Sequence, residues 1–254
     1  DANGYAVHRE YYINDAGRQV DILAASVWLR YLEAEGETFA FPANGYKGGY
    51  VREIAAELLQ KVGERLLRPE GEVFGNLPPD EPEGGDKEAF IDALIGRAKQ
   101  LIGEDGFREV SDLGLKAILA DMENDLTEFG VTYDRWYSEA SLAENGAIDR
   151  ALERLRAQGS VYVKDGATWF RAMAFGDEKD RVVVRENGVK TYFASDIAYH
   201  LEKRERGFDI LLDILGSDHH GYVARVRGGL AAMGEPPESL EAQLVQFVSL
   251  FRGG

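Results

Sequence analysis

The sequence predicts an α/β fold, a doubly wound parallel sheet with helical and β-hairpin pieces inserted between its strands, and three observations carry this. Strand-like runs near both ends of the chain alternate with segments whose apolar residues recur every three or four positions. Polar or glycine-containing turns stand where those strands give way to helices, at Asn14-Asp15 and at Gly216-Ser217. Between residues 142 and 189 the period falls from helical to alternating, with hairpin turns at Asp165-Gly166 and Asn187-Gly188.

Taken in order, Tyr5 to Ile13 reads as a strand rich in Tyr, Val and Ile, and Asn14-Asp15 can cap the helix that follows. From Ala16 to Glu35 the residues Val20, Leu23, Val27 and Tyr31 mark one face of a long amphipathic helix, closed by Gly36. A second helix is expected over Tyr50 to Leu67. Pro69 to Asp86 holds four prolines and six acidic residues with no base, and reads as a loop or a mobile excursion. Helices over Lys87 to Ile102 and Phe107 to Gly130 return the chain to an aromatic strand, Thr132 to Tyr137. A short helix, Ile148 to Gln158, ends at Gly159, and short strands follow at Ser160 to Lys164, Ala167 to Met173 and Arg181 to Glu186. Ser195 to Arg206 is then helical, Phe208 to Leu215 a buried-type strand, His220 to Met233 a helix and Gln243 to Phe251 a strand, with no internal repeat.

The 254 residues suit one large domain or two small ones, and 44% hydrophobic residues suffice for a core. Against 45 acidic residues stand 29 basic ones, a formal charge of −16, so a strongly basic nucleic-acid clamp is not the first reading. Without cysteine there is no disulfide framework, no thiolate zinc site and no cysteine nucleophile, which favours a reducing, cytoplasmic setting. Apolar runs fall short of the roughly 18 residues of a membrane span, so a soluble protein is expected. The chain opens on a helix-stop signal, Asn3-Gly4, and finishes on Phe251-Arg252-Gly253-Gly254, so both ends read as cut.

The sharpest polar feature is Gly216-Ser217-Asp218-His219-His220-Gly221-Tyr222, at the edge where open α/β sheets bind ligands. Backbone N–H groups there attract anions, Gly216 admits a ligand close to the backbone, and Asp218 with His219 offers hydrogen bonds to a ribose or base. An ordinary turn capped by Ser217 or Asp218 accounts for the same residues. So does a metal phosphoesterase triplet, Asp218-His219-His220, although the only other histidines, His8 and His200, lie outside any ligand-dense segment. In a second constellation, Thr191 to His200, a helix starting near Ser195 would project Tyr192 and Asp196 to one mouth; Asp196 is either a helix-start carboxylate or a partner for a cationic ligand. Glu139, just beyond the aromatic strand, is either a solvated surface acid or a second carboxylate for a planar guanidinium. Asn14, Asp15 and Gln19 form a further polar edge that capping alone also explains. Neither a Gly-x-Gly-x-x-Gly after a strand nor a P-loop is present.

Five ordered blocks resemble the class I arginyl-tRNA synthetases of bacterial type: Glu10 to Gln19, Tyr133 to Glu139, Gly176 to Arg181, Tyr192 to His200 and Gly216 to Tyr222. The resemblance implies a Rossmann-like class I synthetase core in three parts, residues 1–36, 106–141 and 190–254, with a helical insertion over 37–105 and a hairpin-containing one over 142–189. It implies ATP-dependent activation of L-arginine to arginyl-adenylate, with Mg²⁺ accompanying ATP and no tightly bound cofactor, and transfer to tRNA-Arg. Within that pattern Glu139, Tyr192, Asp196 and His219 match the arginine-binding residues, and Gly216, Asp218 and His219 the adenosine-binding ones. The family's His-x-Gly-His and Lys-Met-Ser-Lys-Ser-like motifs do not occur in the sequence, and no catalytic residue is assigned. The expectation is therefore a catalytic-domain fragment unable to form the adenylate alone, with self-association through uncovered sheet surface. A binding or interaction module that keeps the synthetase scaffold is the alternative.

Overall fold

A computed structural model describes residues 3–15, 17–246, 248 and 249. The chain divides into two compact units, Asp1–Tyr137 and Ser138–Gly254.

The first unit is mainly helical. Strand β1 (Glu10–Ile13) leads into α1 (Arg18–Ala34), followed by α2 (Gly49–Val62), the short α3 (Glu70–Phe74), the long α4 (Lys87–Glu128) and strand β2 (Arg135–Ser138), which pairs with β1 and runs one residue past the unit's end. Against the expected amphipathic stripe, every residue of α1 from Ile22 to Leu32 is buried. A helix buried all round lies inside its core rather than on it, and α1 does so because α2 and α4 both pack against it. Trp28, Tyr31 and Ser26, carried inward, find backbone acceptors, whereas Arg30 Nε is buried without a hydrogen-bond partner among the described residues. Trp28 Nε1 donates to the Leu66 carbonyl at 3.0 Å, Tyr31 Oη to the Gly63 carbonyl at 2.7 Å, and Ser26 Oγ to the Ile22 carbonyl at 2.7 Å. Arg30 makes two contacts to Glu33 at 2.6 and 2.7 Å with its guanidinium 3.7 Å from the centre of the Phe41 ring.

Pro69 to Asp86, expected as a loop or mobile excursion, is packed instead. It contains α3, with Val73 fully buried, and a single 3₁₀ turn over Glu81–Glu83. Asp80 fastens it, accepting from the backbone N–H of Ala43 and of Glu81, both at 2.7 Å. The two helices expected over residues 87–130 form one element broken at Gly103 (φ 74°, ψ 162°), a conformation that an L side chain resists.

The second unit is mixed. Helices α5 (Ala140–Glu144) and α6 (Ala147–Ala157) precede an antiparallel sheet of β3 (Val161–Lys164), β4 (Ala167–Phe170) and β5 (Arg181–Val184). Asp165 and Gly166 both take positive φ, 51° and 75°, as a two-residue hairpin of the primed type requires. Then come α7 (Tyr192–Glu205), β6 (Leu211–Gly216), α8 (His220–Ala232) and β7 (Leu240–Val245). Strands β6 and β7 are parallel, in register from Leu211 with Leu240 to Gly216 with Val245, and α8 is the crossover between them. The final strand thus lies earlier than the expected Gln243 to Phe251; residues 247 and 250–254 are outside the described residues. Tyr5 to Glu10 likewise contributes only its last residue to β1. Among the described residues no helix is long and apolar enough to cross a membrane.

Helix α4 gives a paired test. Gly96 is helical with open space where a Cβ would stand, so Gly96→Ala is expected to stabilise the chain by about 0.5–1 kcal/mol. Gly103→Ala should destabilise it by about 1–3 kcal/mol, because the break in the helix needs positive φ. Urea unfolding of the two variants checks both signs.

Candidate functional site

Helix α7 places the central carboxylate. Thr191 caps it, its Oγ1 accepting from the Ala194 N–H at 3.4 Å, so the helix begins at Tyr192 rather than near Ser195 as expected. The earlier start keeps Tyr192, Asp196 and His200 at four-residue spacing on one face. Tyr192 is exposed and Asp196 partly buried. Burial pushes the Asp196 carboxyl up to about 6, and the neighbouring negative charge of Asp213 adds to this. The charge of His200, a hydrogen bond from Tyr222 and the charge of Arg225 act in the opposite sense.

Behind Asp196 lies a buried ionic cluster. His200 is 1% exposed; its Nδ1 is 2.7 Å from the backbone carbonyl of Asp196 and its Nε2 2.7 Å from Asp213 Oδ2. Lys203 Nζ donates to Asp213 Oδ1 at 3.1 Å and lies 4.1 Å from the centre of the Tyr199 ring. Burial alone would raise the Asp213 carboxyl, yet the hydrogen bonds and charges of His200 and Lys203 outweigh it and hold Asp213 well below the ordinary carboxylate range.

The turn after β6 supplies the other wall. Gly216 ends β6 and is exposed, Ser217 to His219 form a single 3₁₀ turn, and α8 follows. Tyr222 is the link: its side chain hydrogen-bonds Asp196, and its ring stands edge-on to His219 at 6.0 Å between centroids. Close approach of α8 to α7 sets this contact, since a Cβ on Gly229 would come within 2.4 Å of Ile197 Cγ2. The side chains of Asp218 and His220 are outside the described residues, so the expected role of Asp218 beside adenosine and the metal-triplet reading are not placed. Among the described residues no group of three or more His, Cys, Asp or Glu could hold a metal ion.

Glu139 is 9% exposed, between β2 and α5, rather than a solvated surface acid. Its carbonyl accepts from the Leu142 N–H at 3.0 Å as α5 begins, and α5 packs on α7. Asn14, Asp15 and Gln19 lie in the first unit, where Gln19 Oε1 accepts from Tyr46 Oη at 2.9 Å. In the Gly176 to Arg181 block, Asp177 pairs bidentately with Arg181 at 2.7 Å for both bonds, and Asp180 accepts from Tyr162 Oη at 2.9 Å. Those acids hold the antiparallel sheet's loop together.

Sequence reasoning singled out neither Asp213, Lys203 nor Tyr222 as site residues. Asp213 carried a signal: it alternates with the inward positions Leu211 and Leu215, where an unpaired charge would be costly. Tyr222 follows His219 by three residues, the spacing at which helix neighbours meet.

The Asp196 carboxyl sets a stability dependence on pH. Its pKa is higher folded than unfolded, so the folded chain holds more protons between the ordinary Asp value of 3.8 and about 6. The stabilisation is full below that window and is lost as pH rises through about 6. Asp196→Asn should therefore flatten the stability difference between about pH 5 and about pH 7 by about 1 kcal/mol, as read by urea unfolding.

No protein-family model matches the chain. Arginine–tRNA ligase of Thioalkalivibrio sulfidiphilus is 59% identical over all 254 residues, and that of Legionella pneumophila 55% identical over 253. The chain spans 43% of the length of each. Among solved structures, an arginyl-tRNA synthetase from Campylobacter jejuni superposes with a TM-score of 0.78 at 30% identity, covering 97% of this chain and 47% of that one. In sequence and in fold the chain is similar over its whole length to arginyl-tRNA synthetases, and it spans less than half of theirs.

Proposed function

We propose that the chain is a catalytic region of an arginyl-tRNA synthetase, with Asp196 and Glu139 receiving the guanidinium of L-arginine beside Tyr192 and His219. One observation carries the reading: a partly buried carboxylate, Asp196, is held by Tyr222 near the turn that ends a parallel strand, where its burial disfavours the charged form until a cation arrives. A guanidinium fits two carboxylates through its planar fork of donors. Gly216, Asp218 and His219 are assigned to the adenosine of ATP, which enters as its Mg²⁺ complex, and Asn14, Asp15 and Gln19 to a polar, ligand-facing edge of the first unit. The reaction so assigned is attack of the arginine carboxylate on the α-phosphate, release of pyrophosphate, and transfer of the arginyl group to tRNA-Arg in the cytoplasm. Positioning and charge stabilisation are its sources of rate. The same reading divides the chain into core parts 1–36, 106–141 and 190–254 with insertions at 37–105 and 142–189.

A second reading is a binding or interaction module that keeps the synthetase scaffold, for which a folded chain without arginine affinity is expected. Self-association accompanies either one, because Leu212 and Ile214 of β6 are exposed on the sheet; a monomer on size-exclusion chromatography at high concentration would remove it.

Calorimetry with L-arginine tests the site. Binding is expected, weakened about 100-fold by Asp196→Ala and by Glu139→Ala, since each removes one charged partner of a desolvated pair. A folded chain with no arginine affinity would defeat the proposal. Below about pH 6 affinity should fall about tenfold per unit as Asp196 protonates. ATP–pyrophosphate exchange is expected to be absent, and exchange at the speed of an intact synthetase would refute the assignment of a chain without its triphosphate motifs.

A further inference from the structure

His200 is buried deeper than Asp196, and the function proposed above makes no use of it. Each ring nitrogen faces an acceptor. Nδ1 is 2.7 Å from a backbone carbonyl oxygen, that of Asp196, and Nε2 is 2.7 Å from Asp213 Oδ2. A carbonyl oxygen can only accept, and a neutral imidazole has one N–H, so a neutral ring would turn a bare lone pair toward one oxygen or the other. Asp213 offers no proton in return: its second oxygen accepts from Lys203 Nζ at 3.1 Å, and an ammonium at that distance favours the carboxylate over the acid. Only a ring protonated at both nitrogens satisfies all of these partners.

The surrounding groups are consistent with that charge. On α7 stand Asp196, Lys203 and Tyr199, the last with its ring edge-on to the imidazole at 5.4 Å; β6 contributes Asp213; α8 contributes Tyr222, 6.4 Å away between ring centroids, and Arg225, whose charge acts on Asp196. A buried ion pair is stable only when its remaining hydrogen-bonding capacity is met. Here Lys203 meets that of Asp213, and the Asp196 carbonyl meets that of the imidazolium.

We propose that His200 is a positioning residue, protonated on both ring nitrogens, that ties the second turn of α7 to strand β6 and supplies the standing positive charge that keeps the Asp196 carboxylate available to a cationic ligand. The ligand named rests on the arginine reading above; the protonation rests on the two 2.7 Å contacts of the ring, and the coupling to Asp196 on the charge of His200 four residues along the same helix face. His200 touches no reacting atom, and its effect passes through Asp196. Of the charges acting on Asp196, that of His200 is the largest one favouring the carboxylate.

The test uses the whole chain with ¹⁵N-labelled histidine and ¹³C-labelled aspartate, observed by NMR. Near neutral pH both His200 ring nitrogens are expected at protonated shifts; one unprotonated ring nitrogen would overturn the proposal, and this needs no variant. The Asp196 carboxyl titration is expected near pH 6 in the wild type and about one unit higher in His200→Gln, which keeps hydrogen-bonding capacity and removes the charge. A folded His200→Gln chain with an unmoved Asp196 midpoint would overturn it as well, because a purely structural role predicts that result. Adding L-arginine separates the two proposals. A lowered Asp196 midpoint supports the arginine site, whereas an unchanged one defeats that site and leaves the histidine measurements to decide the role of His200.

Discussion

The pairing of His200 with Asp213 fastens helix α7 to strand β6, and the geometry of the second unit's polar site depends on that fastening. Asp213 is the one charged residue on the inward side of β6, between Leu211 and Leu215, and an isolated carboxylate there would be strongly unfavourable. Its two oxygens are taken by two nitrogen-bearing side chains of one helix, His200 and Lys203, three residues apart. The helix therefore cannot rotate or slide along the strand without exposing a bare carboxylate to an apolar layer. Because His200 also holds the backbone carbonyl of Asp196, the second turn of α7 is tied to β6, while the first is set by its Thr191 cap.

Steric fit completes what the ion pair begins. Gly229 admits Ile197 against the backbone of α8, so the two helices approach more closely than any side chain at that position would permit. With α7 fixed to β6 and α8 emerging from the turn that β6 ends in, Tyr222 hydrogen-bonds Asp196 while its ring stands edge-on to His219. A strand and two helices thus act on one carboxylate, through Asp213, His200 and Tyr222. The first unit is built on a different constraint, an apolar helix enclosed by its neighbours, in which Trp28, Tyr31 and Ser26 find backbone partners because water cannot reach them.

Much of this was legible in the sequence, and the failures have physical causes. Alternation of period, hairpin turns and a glycine at the strand-to-helix junction located the β3–β5 sheet and the β6–α8–β7 unit. Helix α1 misled because periodicity sees one apolar face, while burial of the opposite face came from partners far away in sequence, α2 and α4. The acidic, proline-rich segment misled because composition counts charge without seeing that Asp80 spends it on two backbone donors. Asp196 and Glu139 stand out in the sequence as acids beside strand ends, and the fold leaves Asp196 partly buried and Glu139 buried. The cluster that supports Asp196 does not stand out, since His200 and Asp213 are thirteen residues apart on different elements and only the folded chain makes them neighbours.

The net charge of −16 acquires a specific meaning at the proposed site. A surplus of acids raises the local concentration of cations and discourages a polyanion from settling on the same surface, at a range set by salt. Close in, the selection is sharper. Burial favours the neutral form of Asp196, and a positively charged ligand would favour its ionised form, so at the proposed site ligand charge would decide the state of that carboxyl. A neutral molecule of the same outline would leave Asp196 either ionised without a full counter-charge or protonated with its hydrogen-bonding pattern reversed. Both states are unfavourable, and polar sites built for a specific donor set reject analogues lacking it far more strongly than apolar pockets reject a missing methylene. A carboxylate poised between its two forms by burial on one side and by His200, Tyr222 and Arg225 on the other is thus suited to tell a guanidinium from an uncharged isostere.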